Sequence, residues 1–162
     1  LGGLVPPLTD LRYKWPNDVL LNDRKVSGIL LESAARADGA LDFLVLGVGV
    51  NVASSPRDAA FPASSMREEG GDPVEVADVL ESFAKHFMAW TDRWLDEGFA
   101  PVREAWLRRA WRLGERLEVG LGGEAASGRF RGLSADGTLE LELDGGAVRR
   151  IAAGDVRRAR AG

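Results

Sequence analysis

Two long apolar runs near the N-terminus constrain the fold of this chain most. Val26 to Glu32 and Leu41 to Val52 are apolar at nearly every position, a pattern typical of strands that are buried on both faces. The Asp38-Gly39 pair between them is a hairpin signal. We therefore expect a mainly antiparallel sheet with both faces covered, so a further element must pack on its second face.

Two shorter extended runs precede this hairpin. Leu11 to Trp15 and Val19 to Leu21 are separated by Pro16, which removes a backbone donor and disfavours helix at the residue before it. Asn22 and Asp23 then favour a turn into the first long run. The sheet is thus predicted to begin near residue 11.

A helical region is predicted after a surface loop over Ala53 to Gly71, which is rich in proline, serine, glycine and charge. Asp72 as N-cap, Pro73 at the first helical position and Gly98 just past the end would bound a long helix. Its apolar residues recur every three or four positions and predict one wide stripe that covers a sheet face: Val76, Val79, Leu80, Phe83, Phe87, Trp90 and Trp94. A shorter helix is predicted from Pro101 to Trp111.

The sequence pattern of the last fifty residues is typical of a small β-barrel. Four short apolar runs are separated by Gly and Asp-Gly turns: Leu117 to Leu121, Ser127 to Leu133, Thr138 to Leu143 and Val148 to Ala152. The arginines between positions 149 and 160 are expected to form a solvated basic edge. The sequence therefore predicts an α+β chain in which residues 1–112 form a helix-covered antiparallel sheet and residues 113–162 a small SH3-like barrel.

Composition excludes several classes of function. Cysteine is absent, which rules out disulfides and thiolate nucleophiles and favours a cytoplasmic protein. The single histidine, His86, argues against a metal site built by the chain itself. Twenty-one basic residues against 25 acidic ones argue against a nucleic-acid partner, and no apolar stretch reaches the roughly 20 residues that cross a bilayer, so no membrane partner is expected.

The chemistry-bearing residues cluster before and within the first long run. Two of the three lysines, Lys14 and Lys25, fall there. A lysine that enters an apolar strand is costly to bury unless it meets an anion, so Lys25 indicates an anionic ligand, which Gly28 would allow to approach the backbone. The alternative is that Lys25 is a solvated residue at a hairpin end.

Asn51 ends the second apolar run, where its amide needs both donor and acceptor partners. A purine edge offers a matching set, although Asn51 could equally cap the turn that follows. The preceding Gly47-Val48-Gly49 is similar to part of a dinucleotide fingerprint. The third glycine and the following helix are missing, so a Rossmann site is excluded.

Three motifs in this order resemble the biotin protein ligase family: Lys14-Trp15-Pro16-Asn17-Asp18, Arg24 to Glu32, and Leu46 to Val52. The resemblance implies the catalytic domain of class II synthetases and biotin ligases, followed by the barrel. It also implies an enzyme that activates biotin with ATP and Mg²⁺ to biotinyl-AMP. The biotin is then transferred to a lysine of a biotin carboxyl carrier protein, a subunit of a biotin-dependent carboxylase.

The resemblance also implies roles by motif position. Lys25 would contact the biotin carboxylate and the α-phosphate, and Asp18 would orient or deprotonate the incoming lysine. Asn17 and Asn51 would bind adenine, and Gly28 would line the biotin pocket.

Lys14 is implied only as an electrostatic aid. The family's glycine- and arginine-rich loop lies upstream of the Lys14 motif and is not in this sequence, so the resemblance covers the back half of the catalytic domain and the C-terminal domain. We expect this chain alone to bind biotin poorly and not to turn over. Two alternatives stay open, a non-catalytic module that binds a carrier protein and a lipoate-type ligase. The acceptor's identity and a homodimeric state are also open.

Overall fold

The predicted hairpins are present in the computed structural model, which describes residues 1–70 and 73–159. The first four strands are β1 (Leu11–Lys14), β2 (Asp18–Leu21), β3 (Arg24–Ala35) and β4 (Leu41–Val50). The chain divides into two units. The first unit comprises Leu1–Leu11 and Asn17–Val76, and the second comprises Arg12–Pro16 and the described residues from Ala77 onward.

Antiparallel pairing joins β2, β3 and β4 in the first unit, as the sequence predicts. Asn22 and Asp23 connect β2 to β3 with φ values of 49° and 62°, the left-handed conformation that tight hairpins require. In the β3–β4 pair Gly28 lies opposite Gly49. This register places two glycines side by side near the start of the hairpin.

The expectation that both faces of the long runs are covered is wrong. Six large apolar residues of β3 and β4 are exposed: Leu30, Leu31, Leu41, Phe43, Leu44 and Val45. The unit's buried apolar side chains lie instead at the other end of the sheet, where Leu20, Leu21 and Val26 are inaccessible to solvent. An apolar sequence pattern shows that both faces of a strand are suited to burial, but the chain itself need not contain an element that covers them.

The segment over residues 53–70 is more than a surface loop, which corrects the sequence-based expectation. Its first part is exposed, but Ser64, Ser65 and Met66 are fully buried. The backbone explains this, because Ser64 N donates to Lys25 O at 3.0 Å and Met66 N donates to Asn51 O at 2.9 Å. The loop is therefore hydrogen-bonded to the sheet and contributes to its core.

Helix α1 (Val76–Glu97) starts later than predicted. Pro73 precedes the helix instead of occupying its first position, and the predicted cap Asp72 lies outside the described residues. The predicted end is confirmed, because Gly98 has a φ of 79° and donates its N–H to Trp94 O. The apolar stripe forms on one helix, but only Val79 of it is buried.

Helix α2 (Ala100–Leu107) is shorter than predicted. The helix ends at Leu107 because the backbone that follows it is hydrogen-bonded to β1. Tyr13 N donates to Arg109 O and Trp111 N donates to Tyr13 O, both at 2.8 Å. Strand pairing thus takes the residues that helical spacing had assigned to the last turn.

The C-terminal part of the second unit is a five-stranded antiparallel sheet that agrees with the predicted SH3-like barrel and α+β class. Its strands lie in the order β8-β7-β6-β5-β9: β5 (Arg116–Gly120), β6 (Ala125–Leu133), β7 (Leu139–Glu142), β8 (Val148–Ile151) and β9 (Asp155–Arg158). Leu139 and Leu141 are fully buried, whereas the glutamates between and after them are not. The inward face of β7 therefore belongs to the barrel core.

The predicted solvated basic edge includes a strand, β9, that the sequence did not indicate. Arg157 and Arg158 lie on this strand and pair with β5, and Val156 between its ends is buried. The arginines remain exposed, and Arg160 lies outside the described residues. The strand is hard to recognise in the sequence because Val156 is its one buried side chain and the other three residues are charged.

No helix in residues 1–70 and 73–159 is both long enough and apolar enough to span a membrane.

The packing of the barrel core can be tested at Phe130. This residue is 1% exposed and meets Trp106 edge-on with 6.4 Å between ring centroids. Phe130→Ala should lower the free energy of unfolding by about 3–5 kcal/mol, because it removes buried surface and leaves a cavity. Urea denaturation measures the loss. The exposed Val148→Ala is the matched control on β8, and an equal loss for both variants would contradict a core role for Phe130.

Candidate functional site

The centre of the candidate site is an ion pair between neighbouring strands. Asp18 opens β2 and Lys25 is the second residue of β3. Lys25 Nζ lies 2.5 Å from Asp18 Oδ1, and the side chains are 38% and 9% exposed, respectively. The carboxylate is thus shielded while the lysine side chain is partly exposed, so an incoming anion would meet Lys25 before Asp18.

Gly28 provides the space beneath this pair. A Cβ added to Gly28 would lie 3.2 Å from Lys25 Nζ and 3.3 Å from Lys25 Cε, closer than side-chain carbons normally approach. Gly49, across the strand pair, would place a Cβ 4.0 Å from Gly28 O, with no closer neighbour. The ammonium therefore lies over a glycine, beside a second glycine that keeps the neighbouring backbone open.

The Asn17 amide is tied to β3. Its Nδ2 donates to Ile29 O at 2.6 Å, and its backbone O accepts from Ile29 N at 2.9 Å. These bonds hold the residue before Asp18 against the strand that carries Lys25. Asn17 remains exposed, so a ligand can reach its side chain.

Asn51 joins three segments. Its N–H donates to Val26 O at 2.8 Å, and its Nδ2 donates to Ser64 O at 2.9 Å and approaches Lys25 O at 3.5 Å. The amide therefore connects the start of β3, the end of β4 and the loop. The side-chain bonds use the donor end of the amide.

Lys14 lies in the second unit. Its side chain is 3% exposed, and its Nζ is 3.5 Å from Asp155 Oδ1 on β9. The structure brings Asn17, Asp18, Lys25, Gly28 and Asn51 together within the first unit, and it gives Lys14 a contact with the barrel strand.

Glu69 is a residue that sequence reasoning missed. Its side chain is 2% exposed, and its Oε1 is 2.6 Å from Arg24 Nη2, a close ion pair without hydrogen-bond alignment. Its Oε2 accepts a hydrogen bond from Asn22 Nδ2 at 2.7 Å. Nothing in the sequence distinguishes it from Glu68, since both belong to one charged run.

Glu68 has a different environment. It is exposed, and hydrogen bonding from Ser55, followed by that from Ser65, holds its pKa below the usual value. A lowered pKa means that these bonds stabilise the fold above the ordinary glutamate pKa, and that their contribution is lost as the pH falls through the lowered value. Glu68 thus joins Ser55 to the buried serines of the same loop, whereas Glu69 reaches the β2–β3 turn.

No group of three or more His, Cys, Asp or Glu side chains that could hold a metal ion occurs in the described part of the chain.

Two family models match the chain. The model of the biotin/lipoate A/B protein ligase family matches residues 1–108, and that of the biotin protein ligase C terminal domain matches residues 113–157.

Individual relatives agree with these models. A biotin--[acetyl-CoA-carboxylase] ligase of Paracoccus denitrificans is 40% identical, over 87% of this chain and 60% of that protein. The bifunctional ligase/repressor BirA of Bacillus subtilis is 29% identical, over 88% of this chain and 45% of that protein. Biotin protein ligase of Aquifex aeolicus in complex with biotin and ATP superimposes with a TM-score of 0.77 at 25% identity, covering 92% of this chain and 62% of that chain. The chain thus spans less than two thirds of each of these relatives.

Gly28→Ala tests the close approach of Lys25. Because the crowded atoms are the far end of a flexible side chain, the fold should tolerate the methyl group, and the free energy of unfolding should change by less than about 1 kcal/mol. The ammonium should move away from Asp18, which NMR of the Lys25 side-chain nitrogen would detect. Gly49→Ala is the control that should leave this signal in place. An unshifted signal in Gly28→Ala would contradict the geometry.

Proposed function

The chain belongs to the biotin/lipoate A/B protein ligase family, and from this premise we propose that it is the part of a biotin protein ligase that activates biotin with ATP and transfers it to a lysine. The observation that carries the proposal is the Lys25–Asp18 pair above Gly28. It combines a cation on a partly exposed side chain with a shielded carboxylate, and the two steps of acyl-adenylate chemistry need one of each.

In the first step an oxygen of the biotin carboxylate attacks the α-phosphorus of ATP. A phosphorus–oxygen bond forms, the bond to pyrophosphate breaks, and biotinyl-AMP results. Negative charge concentrates on the reacting carboxylate and the α-phosphate, and the Lys25 ammonium would offset it. ATP would enter as its Mg²⁺ complex, in which the cation offsets the charge of the departing pyrophosphate.

In the second step the acceptor amine attacks the acyl carbon of biotinyl-AMP. An amide bond forms, AMP leaves, and the amine loses a proton. Asp18 is the carboxylate next to Lys25, so it would orient the amine or accept that proton once the ammonium has turned toward the phosphate.

The remaining residues would hold the adenylate. Asn51 Oδ1 and the exposed amide of Asn17 would bind the adenine edge, and Gly28 would let biotin lie against the strand backbone. Burial of Lys14 against Asp155 counts against direct ligand contact, so we limit its proposed role to a long-range positive charge.

We propose residues 1–112 as the catalytic part and residues 113–162 as the barrel domain, supported by family models that end at 108 and begin at 113. The proposed acceptor is the biotin carboxyl carrier protein of a biotin-dependent carboxylase, which fits the name of the Paracoccus relative. The lack of cysteine fits a cytoplasmic site of action.

Biotin-dependent ATP–pyrophosphate exchange tests the role of Lys25 in the protein encoded by the complete gene. Lys25→Ala should reduce the exchange rate by at least about 10²-fold, because the charge that meets the phosphate is lost. The free energy of unfolding should hardly change, because this side chain is partly exposed. Lys85→Ala, on the exposed surface of α1, is the control and should retain full exchange.

The same assay separates the alternatives. Exchange that depends on lipoate and not on biotin would identify a lipoate-type ligase. Carrier binding that needs no ATP and survives Lys25→Ala, without any exchange, would identify a binding module. We expect a protein of these 162 residues alone to exchange far more slowly than one that also carries the upstream glycine- and arginine-rich loop of the family, and equal rates would contradict that expectation.

A further inference from the structure

Glu69 is a buried carboxylate that the proposed chemistry does not use. A charge in this position is costly unless it is paired, and within the described residues its carboxylate contacts Asn22 and Arg24. Asn22 belongs to the connection between β2 and β3, and Arg24 is the first residue of β3. The Glu69 carboxylate therefore connects the end of the loop to the turn that precedes β3, the strand that carries Lys25.

This turn has a conformation that needs support. Asn22 and Asp23 both have positive φ values, which are uncommon for residues other than glycine. Asn22 Nδ2 donates to one oxygen of Glu69, and Arg24, the first residue of β3, contacts the other. Glu69 thus contacts the turn and the residue directly before Lys25.

The other side of Lys25 is held by the loop itself. Lys25 N donates to Pro62 O at 2.8 Å, and Lys25 O accepts from Ser64 N at 3.0 Å. The loop then turns back through the bond from Glu69 N to Ser65 O at 3.1 Å. The contacts form a closed ring that runs from Lys25 through the loop to Glu69, and from Glu69 through the turn back to Lys25.

We propose that Glu69 is a positioning residue for Lys25. By joining the turn to the loop, its carboxylate sets where β3 begins, and so where the Lys25 ammonium meets the reacting phosphate. This inference rests on the proposed function for its catalytic consequence. A misplacement of about 1 Å at a reacting group can cost about 10²-fold in rate.

Glu69→Gln is the first test, in the protein encoded by the complete gene. The amide keeps an acceptor for Asn22 but presents no charge to Arg24, so one of the two contacts of the Glu69 carboxylate described above is lost. We expect kcat for biotin-dependent exchange to fall by about 10–10²-fold, with KM for ATP changed by much less. Glu68→Gln is the matched control, since this carboxylate accepts hydrogen bonds from the Ser55 and Ser64 hydroxyls of its own loop, which an amide oxygen can still accept, and it should retain its kcat.

A double-variant comparison separates positioning from general weakening of the fold. If Glu69 acts through Lys25, then Glu69→Gln should cause no further loss of exchange in a Lys25→Ala background. A further loss of the same size in that background, or an equal loss in Glu68→Gln, would overturn the inference.

Hydrogen exchange on the 162-residue chain provides a readout independent of activity. In Glu69→Gln the N–H groups of Lys25 and Ser64 should exchange faster, while that of Phe130 in the barrel should not change. Should Glu69→Gln fail to fold, Asn22→Gly removes the hydrogen bond to Glu69, together with the one that Asn22 Oδ1 accepts from Asp10 N, and keeps a residue suited to positive φ. The same faster hydrogen exchange is expected in Asn22→Gly, and an unchanged hydrogen-exchange rate of the Lys25 N–H would overturn the inference.

The proposed function and the positioning role of Glu69 can fail independently of each other. Absence of exchange activity in the unaltered protein would remove the proposed function, while the hydrogen-exchange result would still decide whether Glu69 holds Lys25 in place. Loss of activity in Lys25→Ala with full activity in Glu69→Gln would remove only the role of Glu69.

Discussion

The candidate site depends on the backbone bonds between Lys25 and the loop. Lys25 N and O bond to Pro62 and Ser64, which joins the start of β3 to a segment nearly forty residues later in the chain. Asn51 adds the end of β4 to the same junction through its bond to Ser64 O. Since Asp18 of β2 pairs with Gly28 of β3, each proposed ligand contact in the first unit rests on this junction.

The two units are stabilised in different ways. The barrel strands of the second unit enclose large apolar side chains such as Phe130, Leu139 and Leu141. In the first unit the region of the site combines buried apolar side chains such as Val26 and Met66 with polar ties, including the bonds of Asn51 and Glu69. Buried polar groups cost free energy unless each is partnered. Losing one tie there should disturb the position of catalytic groups before it unfolds the chain, whereas losing a barrel side chain should lower stability directly.

Local patterns predicted much of the secondary structure. Turn chemistry at Asn22-Asp23 and Asp38-Gly39 and the glycine at 98 all act within a few residues, so they can be recognised without the fold. The predictions failed where distant contacts compete with local preference. Residues assigned to the end of α2 pair with Tyr13, and the arginine-rich tail forms β9 because β5 offers an unpaired edge.

For the site, the sequence by itself determined the residue types and their order: a lysine entering an apolar strand, a carboxylate one strand earlier, a glycine three residues on and an asparagine at the end of β4. Only the tertiary structure decided that Lys25 pairs with Asp18, that Asn51 is bonded to the loop, and that Glu69 is buried while Glu68 is not. The physical reason is distance along the chain. Asn22 and Glu69 are 47 residues apart, and no local preference specifies which carboxylate of a charged run will meet a given turn.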